Sequence, residues 1–145
     1  MILYLDTSAL VKRYFKEPFS DEIISQWKKA EGIVTSSVAY AEAMACFCRK
    51  KREGKLEDEL IKTITGSFRR DWNSFIRVEV TDDLNEHIDK TVREYPLRGF
   101  DAIHLASAMV VFEKLADDFL FACFDYNLMR AAQSEGFKTF PSKQT

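Results

Sequence analysis

The chain is poor in the residues that build disulfide frameworks and sulfur or imidazole metal sites. Its 145 residues include three cysteines, two histidines, three prolines and five glycines. Cys46 and Cys48 are two positions apart in a predicted helix, so their side chains point in different directions and cannot readily form a disulfide. The odd number of cysteines argues against a disulfide framework, and no second Cys or His pair has the spacing of a zinc site. We interpret Cys46, Cys48 and Cys123 as reduced packing residues; a metal or redox role is the alternative.

The sequence also lacks a long apolar run and an excess of charge of one sign. There are 21 Lys and Arg residues against 23 Asp and Glu residues, a formal net charge of −2. No segment approaches the roughly 20 apolar residues that span a bilayer. The first residues have no basic stretch and an acid, Asp6, ends their apolar run, so we expect no signal peptide. We therefore expect a cytoplasmic protein with no membrane partner. Because the net charge is near zero, any binding of nucleic acid must depend on local basic patches.

Aromatic residues are plentiful, with twelve Phe, five Tyr and two Trp, and the length suits one domain. Short segments rich in β-branched or aromatic residues predict strands at 1–5, 33–35, 75–80, 119–124 and 138–140. Helical patterns fill the intervals at 8–16, 21–30, 37–52, 56–73, 84–94, 100–115 and 126–134. Strands alternating with helices predict a single α/β domain over residues 1–145, with a short, mostly parallel central sheet and helices on both faces.

Two aspartates follow predicted strands. Asp6 comes directly after the first strand, and Asp125 directly after 119–124. Each could simply cap the next helix or close a turn. Ligands of open α/β sheets, however, bind at the carboxyl ends of the strands. Two acids at equivalent strand ends therefore favour a shared site.

The predicted helix 37–52 carries an acid, Glu42, toward its predicted buried side. Four apolar residues define that side: Val38, Ala41, Ala45 and Cys48. A buried carboxylate costs several kcal/mol unless it is paired, hydrogen-bonded or bound to a metal. An ion pair with Arg49 and a metal-ligand role are both open on spacing alone.

The predicted helix 100–115 is apolar nearly all round, which predicts a central, buried helix. Asp101 lies in its first turn, where it could complement the helix dipole, yet it faces inward. His104 follows one turn later, and we interpret it as a hydrogen-bonded core histidine rather than a metal ligand.

Asp6, Glu42, Asp101 and Asp125 are thus expected at one edge of the sheet. Four carboxylates in one pocket repel and raise each other's pKa, which a divalent cation relieves. Oxygen ligands without Cys or clustered His predict Mg²⁺ or Mn²⁺. Such a site supports phosphodiester hydrolysis by a metal-activated water, with one or two ions.

Four motifs in order contain these acids: MILYLDTSALVK at 1–12, SSVAYAE at 36–42, LRGFDAIHLA at 97–106 and FDYNLMRAA at 124–132. Together they resemble the PIN-domain ribonucleases and, more narrowly, the VapC-type toxins of prokaryotic toxin–antitoxin pairs. The third motif is the most specific, and the resemblance extends to Gly136.

The resemblance implies that the four acids form a catalytic, metal-binding cluster, with Ser8 as a polar helper beside Asp6. It also implies an RNA substrate cut without a covalent intermediate, a small antitoxin partner and a homodimer. One residue departs from the family pattern, since Cys123 stands where the family usually has Thr or Ser. A thiol is the weaker hydrogen-bonding group, so we expect altered metal affinity.

Basic residues cluster after Glu42, at Arg49-Lys50-Lys51-Arg52 and Lys55, and again at Arg69-Arg70. We predict that Arg49, Lys50, Arg52 and Arg98 bind RNA phosphates. The alternative is a solvated helix end whose cations complement the dipole. Four aromatic side chains could stack bases or bind an antitoxin, but we expect them in the core: Trp27, Phe47, Phe68 and Trp72.

Three rival functions stay open. A receiver-type signalling domain is also α/β with acids at strand ends, but here the first strand ends in Asp6 alone and the acidic pair Asp82-Asp83 comes later. A haloacid-dehalogenase-type phosphatase requires a second Asp where Ser8 stands. The third rival is a PIN-like module that binds RNA or protein with little or no catalysis.

Overall fold

The computed structural model describes residues 1–115 and 118–143. Its strands are β1 (Ile2–Leu5), β2 (Gly32–Ser36), β3 (Ile76–Val78), β4 (Phe119–Ala122) and β5 (Lys138–Phe140). Its α-helices are α1 (Thr7–Leu10), α2 (Ser20–Lys29), α3 (Ala39–Arg52), α4 (Asp58–Trp72), α5 (Asn85–Glu94), α6 (Gly99–Lys114) and α7 (Tyr126–Ser134). Two 3-10 turns cover Val11–Arg13 and Asp82–Leu84.

The five strands form one sheet in the order β3-β2-β1-β4-β5, and every adjacent pair is parallel. The predicted α/β domain with a parallel sheet is confirmed. The order differs from the 2-1-3-4-5 order of receiver domains, which argues against that rival. Among the described residues, no helix is long and apolar enough to cross a bilayer.

The alternation of β1 divides the interior into two cores. Leu3 and Leu5 face a core built with α2, α3 and α4, whereas Ile2 and Tyr4 face a core built with α6 and α7. Successive strand residues point to opposite sides, so one central strand contributes to both cores. Helices on both faces of the sheet are therefore confirmed.

The predicted elements are all present, with some different ends. The helix predicted at 8–16 is the short α1 followed by a 3-10 turn, and the strand predicted at 75–80 is only Ile76–Val78. The strand predicted at 119–124 ends at Ala122. The Cys123 N–H still donates to the Phe140 carbonyl oxygen of β5 at 3.1 Å, but the Phe124 N–H turns to Ser8 Oγ at 3.0 Å. Asp125 therefore lies three residues beyond β4 rather than directly after it.

The predicted buried side of α3 is wrong. Ala39, Ala43 and Phe47 are fully buried, whereas Ala41 and Ala45 are exposed. The reason is aromatic packing, because Phe47 meets Phe68 of α4 with ring centroids 5.6 Å apart and this contact sets the rotation of the helix. The core positions expected for Phe47 and Phe68 are confirmed, and Trp27 and Trp72 pack partly buried against the same core. Of the free cysteines, Cys123 is buried but Cys48 is exposed, so its predicted packing role is wrong.

Candidate active site

One cavity of about 520 Å³ is lined by all four predicted acids, Asp6, Glu42, Asp101 and Asp125. The topology explains why they meet. Asp6 follows β1, and Asp125 precedes α7 just beyond β4, the parallel neighbour of β1. Glu42 and Asp101 lie in the first turns of α3 and α6, whose N-termini reach the same edge of the sheet.

Asp6 both caps a helix and faces the cavity. Its Oδ1 accepts a hydrogen bond from the Ala9 N–H at 2.9 Å, and Ser8 Oγ lies 2.7 and 2.9 Å from its two carboxylate oxygens. The side chain is almost fully buried, and burial raises the pKa of Asp6 to about 6, against the lowering effects of His104 and Ser8. The capping alternative is thus observed together with a place in the cavity.

Ser8 joins the two strand ends of the site. Its hydroxyl contacts Asp6 and also accepts from the Phe124 N–H at 3.0 Å, in the segment that leads to Asp125. The loop after β1 is therefore held against the loop after β4 by one side chain.

Glu42 is held by a chain of polar groups that reaches into the core. Its Oε1 accepts from Thr7 Oγ1 at 2.7 Å and lies 2.9 Å from His104 Nε2. Nδ1 of His104 lies 2.9 Å from the hydroxyl of Tyr4, and both rings are buried. When the Tyr4 hydroxyl donates to Nδ1, the neutral imidazole carries its hydrogen on Nε2, directed at Glu42.

This arrangement shows what compensates the charge of Glu42 and which residue is its partner. Burial raises the pKa of Glu42, but the hydrogen bonds from His104 and Thr7 outweigh it and hold that pKa below its usual range. Among the described residues Glu42 pairs with His104 and not with Arg49, so of the two alternatives left open by the sequence, the Glu42–Arg49 ion pair is not formed. Sequence reasoning missed Tyr4 and Thr7; the available signals were a hydroxyl directly after Asp6 and another in an otherwise apolar strand.

Arg98 bridges the other two acids. Its Nε lies 3.1 Å from Asp101 Oδ2, and its Nη2 lies 3.6 Å from Asp125 Oδ2. The other carboxylate oxygen of Asp125 accepts the Leu128 N–H at 2.9 Å and caps α7. The guanidinium is largely exposed, so it supplies positive charge to this side of the cavity without being buried itself.

In the structure, the four carboxylates contact protein partners and do not surround one common point. Within residues 1–115 and 118–143, no three His, Cys, Asp or Glu side chains stand close enough together to hold a metal ion. Asp6 is held by Ser8, Glu42 by Thr7 and His104, and Asp101 and Asp125 by Arg98. The donor set, four carboxylates around one cavity, nevertheless fits a hard divalent cation in kind. A cation placed between Asp101 and Asp125 requires Arg98 to leave.

Cys123 contacts the backbone beside the site rather than a carboxylate. Its Sγ lies 3.8 Å from the carbonyl oxygen of Asp125, and the side chain is fully buried. Burial raises the pKa of the thiol, so Cys123 stays neutral. The residue can thus affect Asp125 only through the position of its main chain.

The basic residues predicted to bind RNA fall into three places. Arg49 and Arg98 line the acidic cavity, and Lys50 lines a neighbouring cavity that shares Arg49. Arg52 lies exposed at the end of α3 and lines neither of them. The sequence cluster is therefore split by the helical rotation.

Comparison with known proteins gives three consistent findings. The sequence model of the PIN domain matches residues 3–133. Ribonuclease VapC45 of Mycobacterium tuberculosis is 31% identical over 147 aligned positions, which cover 98% of this chain and 96% of the relative. Ribonuclease VapC47 of the same organism is 27% identical and covers 95% of both chains.

Solved structures show the same fold. The FitAcB structure from Neisseria gonorrhoeae matches with a TM-score of 0.66 at 14% identity, over 96% of each chain. The VapC20 toxin of Mycobacterium tuberculosis, described as cleaving the sarcin–ricin loop, matches with a TM-score of 0.62 at 16% identity, over 99% of each chain.

Proposed function

Because this chain belongs to the PIN-domain family and to its VapC branch, we propose that it is a divalent-metal-dependent endoribonuclease, the toxin of a toxin–antitoxin pair. The observation that carries the proposal is the convergence of Asp6, Glu42, Asp101 and Asp125 on one cavity at the carboxyl edge of a parallel sheet. Family membership also argues against the receiver and phosphatase alternatives. The presence of all four acids favours catalysis over a binding-only module.

The metal is proposed to be Mg²⁺ or Mn²⁺, held by these four carboxylates. Such an ion polarises the phosphoryl oxygen, lowers the pKa of an attacking water and stabilises the leaving oxygen. Hard cations prefer carboxylate oxygens to the sulfur of Cys46, which also lines the cavity.

The chain's own residues position the acids for this chemistry. Ser8 and the Ala9 N–H orient Asp6, while Thr7 and His104 orient Glu42. The Leu128 N–H fixes one oxygen of Asp125 and leaves the other toward Arg98. Three of the four carboxylates therefore have at least one oxygen set by the fold, which reduces the entropy lost when a ligand is bound.

The partners are proposed from the family resemblance. We propose a small antitoxin that covers the site, a homodimer and a cytoplasmic location. The VapC relatives support this assignment by their sequence similarity over nearly the full chain.

The proposal is tested by incubating purified protein with total cellular RNA and Mg²⁺ or Mn²⁺, with EDTA as the metal-free arm. We expect discrete products only with metal. Asp101→Asn should reduce the rate of RNA cleavage at least about 100-fold, because it removes one of the proposed metal ligands. Each tenfold loss of rate corresponds to about 1.4 kcal/mol of lost transition-state stabilisation. The matched control is Asp89→Asn, an exposed aspartate on α5.

RNA that stays whole under both metals, after removal of any co-purifying protein, would contradict the nuclease and favour the binding-only module. Cleavage that survives Asp101→Asn or EDTA would contradict the four-carboxylate mechanism.

A further inference from the structure

The acidic cavity is one end of a longer groove. A second cavity of about 490 Å³ shares five lining residues with it: Ser8, Val11, Cys46, Arg49 and Phe124. The second cavity lies between the 3-10 turn Val11–Arg13 and the second half of α3. It continues into a third cavity of about 430 Å³ through shared Phe15, Lys50 and Lys55. Three connected cavities suit an extended ligand better than a compact one.

The charge of the wall changes along this groove. The first cavity is acidic, whereas the second is lined by Lys12, Arg49, Lys50 and Lys55 against two acids, Glu17 and Glu53. Glu17 is shared, at 3.1 Å from Lys12 and 3.7 Å from Lys50. Glu53 pairs with Lys55 at 3.1 Å. Four cations thus face two carboxylates, so the second cavity keeps a net positive charge.

Arg49 stands at the junction of the two cavities. Within the described part of the chain, no carboxylate lies within 4.0 Å of its guanidinium. An exposed arginine without an ion pair, beside a site for phosphodiester chemistry, is suited to bind a phosphate in a bidentate manner.

The third cavity is more apolar. Its wall includes Leu56, Leu60 and Ile64 of α4 and the segment before it, with Lys16, Lys50 and Lys55 around them. Leu60 is about half exposed, so this apolar surface is open to a ligand. Such a cavity can accept a base only when the base is unpaired and unstacked.

We propose that this groove binds a single-stranded segment of the RNA substrate next to the scissile phosphate. Arg49 contacts the adjacent phosphate, Lys50 and Lys55 contact the following one, and the apolar cavity accepts an unpaired base. The inference rests on the proposed nuclease function and adds to it the path of the strand and the residues of this chain that contact it.

The test is equilibrium binding in the non-cleaving Asp101→Asn background, in EDTA. The probe is a fluorescein-labelled, sequence-randomised oligoribonucleotide of about 12 nucleotides, within the site sizes of single-strand-binding grooves. We expect Arg49→Gln to weaken binding about five- to tenfold at low salt. It should also lower the slope of log K against log salt by about 0.7, the value for one phosphate contact on a single strand.

The matched control is Arg70→Gln, which makes the same charge change on an exposed face of α4 that lines none of the three cavities. We expect less than a twofold effect. The same oligonucleotide annealed to its complement should bind at least about fivefold more weakly than the single strand, because a duplex cannot place a base in the third cavity.

Equal losses of RNA affinity in Arg49→Gln and Arg70→Gln, or equal affinity for duplex and single strand, would contradict the proposed RNA-binding groove. If the wild-type protein still cleaved RNA in that case, the nuclease proposal would stand and only the groove would fail. Loss of binding in Arg49→Gln without any wild-type cleavage would instead support the groove and contradict the nuclease.

Discussion

Two carboxylates of this protein, the buried Asp6 and the partly buried Glu135, have pKa values that are shifted in opposite directions. Glu135, at the end of α7, lies 2.7 Å from Lys90 Nζ and accepts a hydrogen bond from the Tyr95 hydroxyl. Burial raises its pKa, but these two partners outweigh burial and hold the pKa of Glu135 below its usual range. Asp6 is buried without a salt bridge among the described residues, and its pKa is raised to about 6.

Acids away from the cavity and acids at the cavity therefore differ in how their charge is compensated. Away from the cavity, the fold pairs the partly buried Glu135 with a cation and a hydroxyl. At the cavity, Asp101 and Asp125 share one exposed guanidinium and Glu42 faces an imidazole. Asp6 has neither partner within the described residues. An unpaired buried charge destabilises a protein, so the burial of Asp6 without a cation, beside three further acids of the same cavity, favours a ligand that completes the site.

The largest expected effect comes from removing the charge of Asp6. In EDTA at pH 8, Asp6→Asn should stabilise the protein by about 2–3 kcal/mol, since a rise in pKa from 3.8 to about 6 is about two units of 1.4 kcal/mol each. The folded state holds this proton more tightly than the unfolded state. The penalty is therefore absent below about pH 4 and develops as the pH rises from 3.8 through about 6.

Urea unfolding at pH 4 and pH 8 measures this effect, and the asparagine oxygen can still accept the Ala9 N–H as a cap. A variant that is no more stable than wild type at pH 8 would show that Ser8 and the cap already compensate the charge.

Glu135→Gln should act in the opposite direction, with a loss of about 1.5 kcal/mol at pH 7, the range for hydrogen bonds to charged groups. Because the folded-state pKa is lowered, the stabilisation is complete above the usual value of 4.5 and disappears as the pH falls below it. Unfolding at pH 7 and pH 3 checks both points. Glu94→Gln, at an exposed residue that also contacts Lys90, should cost under about 0.5 kcal/mol.

Arg98→Gln tests whether the guanidinium of Arg98 competes with a metal ion for the acids of the cavity. Arg98 lies beside Asp101 and Asp125 and offsets part of their negative charge, so its removal should increase Mn²⁺ affinity about three- to tenfold. Titration calorimetry measures the affinity directly, with Arg93→Gln on α5 as the charge-matched control. Unchanged or weaker Mn²⁺ binding would mean that Arg98 does not compete with the metal.

The smallest effect is expected from Cys123→Thr. A hydroxyl is a stronger donor than the thiol that now faces the Asp125 carbonyl, so Mn²⁺ affinity and cleavage rate should change about two- to threefold. Cys48→Thr, on the exposed side of α3, is the control. Affinity and rate equal to wild type would contradict our hypothesis that this residue adjusts the site.

Much of this protein was determined by its sequence alone. Short segments rich in β-branched and aromatic residues predicted the strands, and the spacing of apolar residues predicted the helices, although not the buried face of α3. Alternation of strands with helices predicted a parallel sheet, which is confirmed. The four motifs predicted membership in the PIN-domain family, which the match over residues 3–133 confirms.

Only the tertiary structure decided which partner each acid has and how the helices are rotated. The buried side of α3 depends on Phe47 meeting Phe68, and the chain Tyr4–His104–Glu42 joins residues up to 100 positions apart. Likewise, Arg49 borders two cavities only because α3 packs beside the turn after β1. Periodicity is a local property of the chain, whereas these contacts depend on the packing of large side chains between elements that are distant in sequence.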